Sequence, residues 1–148
     1  MVVTDKMKST FHDQDEPIMF QARVVKLSRY NIEQRRVLVL TGDHIYLFDK
    51  QKLNRRHRVT NMAAIIKSSV EQEVVLSFPN AKDLRMRGLS ADEINDLQVF
   101  IQLRYVAKCP TKTLMIFAVP QKSLREYSHD NKKYGVFNLP DDDYRQRD

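Results

Sequence analysis

Several residue types are scarce in this sequence of 148 residues, and each scarcity removes a class of protein. Cys109 is the only cysteine, so the chain has no internal disulfide, and we expect a protein of a reducing, cytoplasmic compartment. With only three glycines there is no glycine-rich phosphate-binding loop. No apolar run approaches the ~18 residues of a membrane span. The first residues match neither a secretory signal nor the N-myristoylation pattern.

The residues that usually build catalytic and metal centres are also sparse and scattered. The four histidines include no pair spaced by four residues and none lies near the cysteine, so we expect no zinc site. Cys109 lies beside Pro110 at the end of a predicted helix, where nothing activates a thiolate. The acidic run 141–143 lacks the spacing of a calcium loop. We therefore expect no enzyme, no cofactor and no bound metal.

The net charge of +6 is concentrated in one part of the chain. Residues 18–88 carry 14 Lys and Arg against 6 Asp and Glu, a balance of +8. A basic segment favours an anionic partner, which here means a membrane surface, an acidic protein surface, a microtubule or a nucleic acid. Charge does not choose among these partners, and a basic surface that is merely solvated is the alternative.

From residue 18 onward the sequence has the pattern of a β-meander. Short runs of β-branched and aromatic residues follow one another, separated by turn signals at Gly42 and Asp43 and at Pro79 and Asn80. This pattern predicts seven strands, at 19–27, 35–41, 44–48, 55–60, 64–68, 73–78 and 83–87. We expect a polar connection at 49–54.

One helix is predicted after the last of these strands. Ser90 is suited to cap it, and Glu93 completes a capping box three residues later. The apolar positions 94, 97, 101 and 105 then form one stripe, and Pro110 stops the helix. A single helix of about 91–107 that follows seven strands closes one end of a strongly bent sandwich.

These patterns divide the chain into three parts. Residues 1–17 are a polar, irregular N-terminal arm, residues 18–109 form the domain, and residues 110–148 are a C-terminal extension. A further strand is predicted at 113–119 within the extension. Phe117 and Phe137 are apolar residues outside a complete barrel, so they either pack on the domain or bind a partner.

The order of strands and helix is that of the pleckstrin-homology superfold, and the local sequence narrows the resemblance. The segments Val24–Arg29, Arg36–Thr41 and His44–Asp49 resemble the first tail-homology domain of class I myosins, and the likeness covers roughly residues 18–108. It implies a mainly β protein, with a pleckstrin-homology-like seven-stranded bent sandwich or barrel capped by one C-terminal helix.

The resemblance also implies binding of anionic phospholipids, phosphoinositides especially. Lys26 and Arg36 match the family positions that face one headgroup pocket, and Arg29 lies in the connecting loop. The residues themselves favour the same site, because two antiparallel strands joined by a loop bring such cations together. The full set of candidate lipid-binding residues is Lys26, Arg29, Arg35, Arg36, Lys50 and Lys52.

Other functions stay open at this point. The chain is alternatively a protein-docking subunit of a larger cytoskeletal or ciliary assembly, with Phe117 and Phe137 as partner-binding residues. The basic residues are then solvated strand charges that deter edge pairing. Nucleic acid is not expected, because aromatic residues that alternate along strands usually belong to the core. Lipid binding predicts a membrane-peripheral location, whereas docking predicts a cytoskeletal or ciliary one.

Overall fold

The computed structural model describes residues 3–128 and 139–146, and most of this chain is β-sheet. The α-helices are α1 (Asp5–Lys8) and α2 (Ala91–Lys108), and short 3-10 turns lie at Val59–Asn61, Arg125–Tyr127 and Asp142–Tyr144. The strands are β1 (Ile18–Leu27), β2 (Glu33–Thr41), β3 (His44–Asp49), β4 (Lys52–Arg58), β5 (Ala64–Ser68), β6 (Val74–Ser77), β7 (Leu84–Arg87) and β8 (Met115–Val119).

The strands form one sheet in the order β4-β3-β2-β1-β7-β6-β5-β8. Strand β1 pairs with β2 along its length and with β7 only near its end, so it joins the two halves of the sheet. Side chains from both halves meet in one core, which means that the sheet folds over on itself. We call the face toward this core the inner face and the opposite face the outer face.

The predicted seven strands and the predicted helix are confirmed. The largest difference in bounds is at β4, which starts at Lys52 and not at 55, because Asp49 pairs with Lys52 across a tight turn. We expected a longer connection at 49–54. The turn is tight because Lys50 adopts a left-handed backbone conformation, with φ of 57°.

Helix α2 begins and packs as its sequence predicts. The Ser90 hydroxyl accepts a hydrogen bond from the Glu93 N–H, and the Glu93 carboxylate accepts one from the Ser90 N–H, which completes the capping box. The buried residues of the helix are Ile94, Leu97, Ile101 and Tyr105. Its last turns reach the β2–β3 turn, where Arg104 Nε donates to the Gly42 carbonyl oxygen at 2.7 Å. We call this the helix end of the barrel.

The C-terminal extension adds the predicted further strand. Strand β8 runs parallel to β5, and the intervening α2 provides the crossover that a parallel pair requires. The side chain of Phe117 is only 2% exposed and packs on the outer face, in a cluster with Ile66 and Val75. The Gln146 N–H donates to the Ile116 carbonyl oxygen on the other edge of β8.

The N-terminal arm is more ordered than its polar sequence predicted. It contains the short helix α1, and its apolar residues Val3, Met7 and Phe11 are buried. They cover the outer face of β2 and β3, where the Phe11 ring stacks on Tyr46 with 4.5 Å between ring centroids. Both extensions therefore cover apolar outer faces of the sheet.

Candidate functional site

The candidate site lies at the end of the barrel opposite the helix end. The β1–β2 loop (28–32) and the β3–β4 turn (50–51) meet there, and we call this the loop end. In the β1–β2 register, Val24 lies opposite Arg36 and Lys26 lies opposite Gln34. Because side chains alternate along a strand, Lys26 and Arg36 both continue the inner face. The two cations are therefore diagonal neighbours at the mouth of the barrel.

The guanidinium of Arg36 is held in place, but not all of its N–H groups have a hydrogen-bond partner. Its Nη1 lies 3.4 Å from the Asp49 carboxylate and donates to the Arg35 carbonyl oxygen at 2.8 Å. Its side chain is only 14% exposed. Within the described residues, its Nε is buried without a hydrogen-bond partner. A buried donor without a partner is costly, so this N–H indicates a place for an acceptor from a ligand.

The remaining candidate residues are distributed around this pair. Arg29, Lys50 and Lys52 are exposed and lie in or beside the loop and the turn of the loop end. Arg35 occupies an outer-face position, because it alternates with Arg36 along β2. Glu33 shares that outer face, so its carboxylate points away from the mouth of the barrel. The structure thus brings five of the six candidates to the loop end and separates Arg35 from them.

The tip of the β1–β2 loop is apolar, which the sequence analysis missed. The side chains of Tyr30 and Ile32 are 73% and 58% exposed. The Ser28 hydroxyl accepts hydrogen bonds from the backbone N–H groups of both residues, at 3.2 and 3.1 Å. Asn31 between them has a φ of 61°. The signal that was available is two large apolar residues placed between predicted strands.

A buried ion pair beneath the β1–β2 loop holds the loop against the sheet. Arg85 and Glu73 have side chains only 1% exposed, and Arg85 Nε lies 2.5 Å from a Glu73 carboxylate oxygen. Arg85 Nη1 donates to the side-chain oxygen of Asn31 at 2.6 Å. On the other side, Arg85 Nη2 donates to the Ser123 hydroxyl and Glu73 accepts from the Leu124 N–H. The loop and the C-terminal extension therefore share one buried pair.

The pKa of Glu73 reflects two opposing effects. Burial by itself raises it, but hydrogen bonds from Arg85, from the Leu124 N–H and from Arg87 together lower the pKa below its ordinary value. The carboxylate is therefore charged at neutral pH and can hold both arginines.

The remaining sequence predictions concern the two partner-binding phenylalanines, metal sites and membrane-spanning helices. Because Phe117 is buried against the chain's own sheet, its ring is not presented to a partner in this conformation. Phe137 lies outside the described residues. Across residues 3–128 and 139–146, no group of three or more His, Cys, Asp or Glu side chains is arranged to hold a metal ion. No helix in these same ranges is both long and apolar enough to cross a membrane.

Comparison with known proteins identifies the fold. No protein-family model matches this chain, and no curated protein sequence matches it. Among solved structures, it is similar to the hSac2 domain from the human phosphoinositide phosphatase Sac2, with 15% identity and a TM-score of 0.62. That match covers 84% of this chain and 88% of the hSac2 domain chain.

Two further similarities involve pleckstrin-homology domains. The N-terminal PH domain of human ARAP2 matches with 12% identity and a TM-score of 0.55, covering 64% of this chain and 84% of that one. The linker-DH/PH structure of p115-RhoGEF matches with 10% identity and a TM-score of 0.54 over 64% of this chain. This chain spans only 30% of the length of that structure.

At these identities the likeness shows the fold alone. The chain has a mainly β, pleckstrin-homology-like fold with one C-terminal helix. The narrower resemblance to the first tail-homology domain of class I myosins stays a prediction from the sequence.

Proposed function

We propose that this chain is a non-catalytic module that binds anionic phospholipid headgroups, phosphoinositides in particular, at its loop end. The observation that carries the proposal is the buried, unpartnered Nε of Arg36 beside Lys26, at the mouth of the barrel. A phosphate oxygen supplies the acceptor that this N–H lacks, and arginine and lysine together suit a cluster of phosphates. A membrane-peripheral location is part of the same proposal.

The charge around this pair supports an anionic ligand. Arg29, Lys50 and Lys52 add three exposed cations to Lys26 and Arg36, against the inner-face carboxylate of Asp49. Each basic residue near an anionic membrane contributes about 1 kcal/mol, so the set attracts a membrane even before a headgroup is bound. Glu33 does not oppose this attraction at the mouth, because it lies on the outer face.

The apolar loop tip favours a membrane over a soluble phosphate. Tyr30 and Ile32 lie at the tip of the same loop that carries Arg29, so a headgroup at the mouth brings both side chains to the bilayer surface. An apolar tip beside basic residues combines burial in the acyl region with attraction to anionic lipids. The hydrogen bonds that the Ser28 hydroxyl accepts and that Arg85 donates hold the loop in this shape before it binds.

Co-sedimentation with vesicles tests the proposal. Wild-type protein should bind phosphatidylcholine vesicles that contain a phosphoinositide and should bind less as salt rises, because screening weakens charge attraction. Replacing Lys26 and Arg36 together by Ala should weaken binding at least ~10-fold. Replacing Arg56 and Lys112 by Ala removes equal charge from exposed positions outside the loop end and should change little. Equal losses in the two double variants would reduce the proposed site to general surface charge.

One observation favours protein docking as the second candidate. The side chains of Val99, Leu103 and Val106 form an exposed stripe on α2, at 40%, 61% and 64% exposure. Asp92 and Asp96 continue this face toward the start of the helix. The stripe fits an amphipathic helix of a partner that has basic residues opposite the two aspartates.

The same vesicle experiment separates the two candidates. Absence of wild-type affinity for any anionic vesicle at low salt would remove the lipid proposal and leave docking. In that case Leu103→Asp should abolish binding to a purified partner, whereas the exposed Asn95→Asp should preserve it. The cytoskeletal or ciliary location belongs to this second candidate.

A further inference from the structure

A second cluster of cations lies at the helix end, far along the strands from the lipid site proposed above. The N-terminal arm, the β2–β3 turn, the end of β4 and the last residue of α2 enclose a cleft of about 420 Å³. The residues that line it are His12, Asp43, His44, Arg58, Thr60 and Lys108.

The carboxylate buried behind this cleft is held by groups of the chain itself. Glu16, buried behind His44, accepts hydrogen bonds from the Tyr46 hydroxyl at 2.5 Å and the Thr41 hydroxyl at 3.0 Å. The same carboxylate lies 2.5 Å from His44 Nδ1 and accepts a hydrogen bond from the Asp13 N–H at 3.3 Å. Burial alone raises the pKa of Glu16, but these hydrogen bonds together lower it, so the group is a carboxylate at neutral pH.

Asp43 is the one acidic side chain that lines the cleft, and two cations hold it. Its carboxylate forms an ion pair with Lys108 and lies 3.8 Å from Arg104 Nη2. The hydrogen bond from Lys108, with further attraction from Arg104, lowers the pKa of Asp43. Its charge is therefore compensated within the chain.

Two donors that line the cleft, by contrast, have no partner among the described residues. In the part of the chain that the structure describes, the Arg58 guanidinium and the Thr60 hydroxyl have no hydrogen-bond or ion-pair partner. The His12 ring lies beside the His44 ring, with 5.2 Å between centroids. His44 Nδ1 lies 2.5 Å from the Glu16 carboxylate, so this side of the ring is engaged within the chain.

From this imbalance we infer that the cleft binds one phosphate-type anion, either inorganic phosphate or the terminal phosphate of a small phosphomonoester. Arg58 provides the planar pair of N–H donors that matches two phosphate oxygens. The Thr60 hydroxyl supplies an additional donor, and the His12 ring lines the side of the cleft that the arm forms. A guanidinium without a partner, in a cleft whose one carboxylate is already held by two cations, favours an anion.

The site also has a structural consequence for the arm. His12 reaches the cleft because its neighbour Phe11 stacks on Tyr46, and because its own backbone N–H donates to the Tyr46 hydroxyl at 2.9 Å. An anion that contacts both His12 and Arg58 therefore links the arm to β4. Binding at the cleft should protect the arm from local opening.

Titration of the full chain with inorganic phosphate at constant ionic strength tests the inference. Amide NMR signals at 12, 44, 58 and 60 should shift together and saturate, while chloride at the same ionic strength leaves them unchanged. Arg58→Ala should weaken phosphate binding about tenfold, as expected when a charged hydrogen-bonding pair is lost. Arg56→Ala is the matched control, because Arg56 is an exposed arginine of the same strand that does not line the cleft.

Two results would contradict the inference. The inference is wrong if phosphate produces no saturable shifts at these amides, or if Arg56→Ala weakens binding as much as Arg58→Ala. His12→Ala serves as a second variant from a different element and should also weaken binding.

Two further experiments identify the source of the phosphate and distinguish this site from the lipid site. A soluble phosphomonoester should compete with inorganic phosphate for the cleft. Because the cleft takes soluble ligands, phosphoinositide vesicles should not displace the phosphate. The double replacement of Lys26 and Arg36 should leave phosphate binding at the cleft unchanged. Loss of cleft binding in that variant would instead locate the phosphate at the loop end and overturn the inference.

Discussion

The apolar tip of the β1–β2 loop provides the sharpest test of membrane binding. Replacing Tyr30 and Ile32 together by Ser removes the two exposed side chains. It keeps the Ser28 hydrogen bonds, because these involve only the backbone N–H groups of the two residues. Vesicle binding should fall while the fold and the cations at the mouth stay intact. The expected loss follows from how much of each side chain is in water.

Full burial of an isoleucine side chain contributes about 1.5–3 kcal/mol. Ile32 is 58% exposed, so moving its exposed part into the bilayer contributes about 1–2 kcal/mol. Tyr30 is 73% exposed but keeps its hydroxyl at the interface, and we assign it about 1 kcal/mol. The sum of about 2–3 kcal/mol corresponds to a loss of roughly 30- to 150-fold in vesicle affinity.

Two measurements separate this contribution from charge attraction. The loss caused by the serine variant should persist at high salt, whereas the loss caused by replacing Lys26 and Arg36 should shrink, since salt screens only charges. The chain contains no tryptophan, so Tyr30→Trp introduces a single reporter at the loop tip. Its emission should shift to the blue on vesicle binding.

The reasoning would be refuted by vesicle binding of Tyr30→Trp with no change in emission. It would equally be refuted by a serine variant that binds vesicles as tightly as wild type. A soluble inositol phosphate serves as the control ligand, because its binding at the mouth should be unaffected by the serine replacements. Loss of that binding would show that the loop itself had been disrupted.

Three further predictions concern stability. Leu97→Ala should lower the free energy of unfolding by roughly 2–5 kcal/mol in urea titrations, because Leu97 is 1% exposed in the main core, and an unchanged midpoint would contradict the packing of α2. Glu73→Gln should cost about 3–5 kcal/mol at pH 7, because it leaves Arg85 buried without its carboxylate. Since the folded pKa of Glu73 lies below 4.5, wild type should lose stability as pH falls through and below that value, and the Gln variant should lose less. Phe11→Ala should cost about 3 kcal/mol and make the arm sensitive to trypsin at Lys6 and Lys8, whereas the exposed His12→Ala should not.

The local features of this chain were readable from its sequence. Short runs of β-branched and aromatic residues between turn signals marked seven strands, and the four-position stripe marked α2, because these signals involve residues close in sequence. The capping box at Ser90 and Glu93 set the start of α2, because it satisfies backbone donors within a few residues of chain. The positions of Lys26 and Arg36 at neighbouring strand ends were readable for the same reason.

Only the tertiary structure decided which faces are buried and what covers them. Alternation separates Arg35 and Glu33 from Arg36, but only the folded sheet determines which of the two faces is the inner one. Val3, Met7 and Phe11 are spread through a polar segment with no strand period. Their burial depends on the apolar outer face of β2 and β3, which lies far away in sequence.

The same limit applies to the polar clusters. Glu73 and Arg85 lie on different strands, and Glu16 meets His44 and Tyr46 only because the arm folds over β3. A sequence determines local periods and caps, since these involve neighbours along the chain. Contacts between distant residues depend on the packing of whole elements, and so both the anchored loop at one end and the donor-lined cleft at the other were decided by the fold.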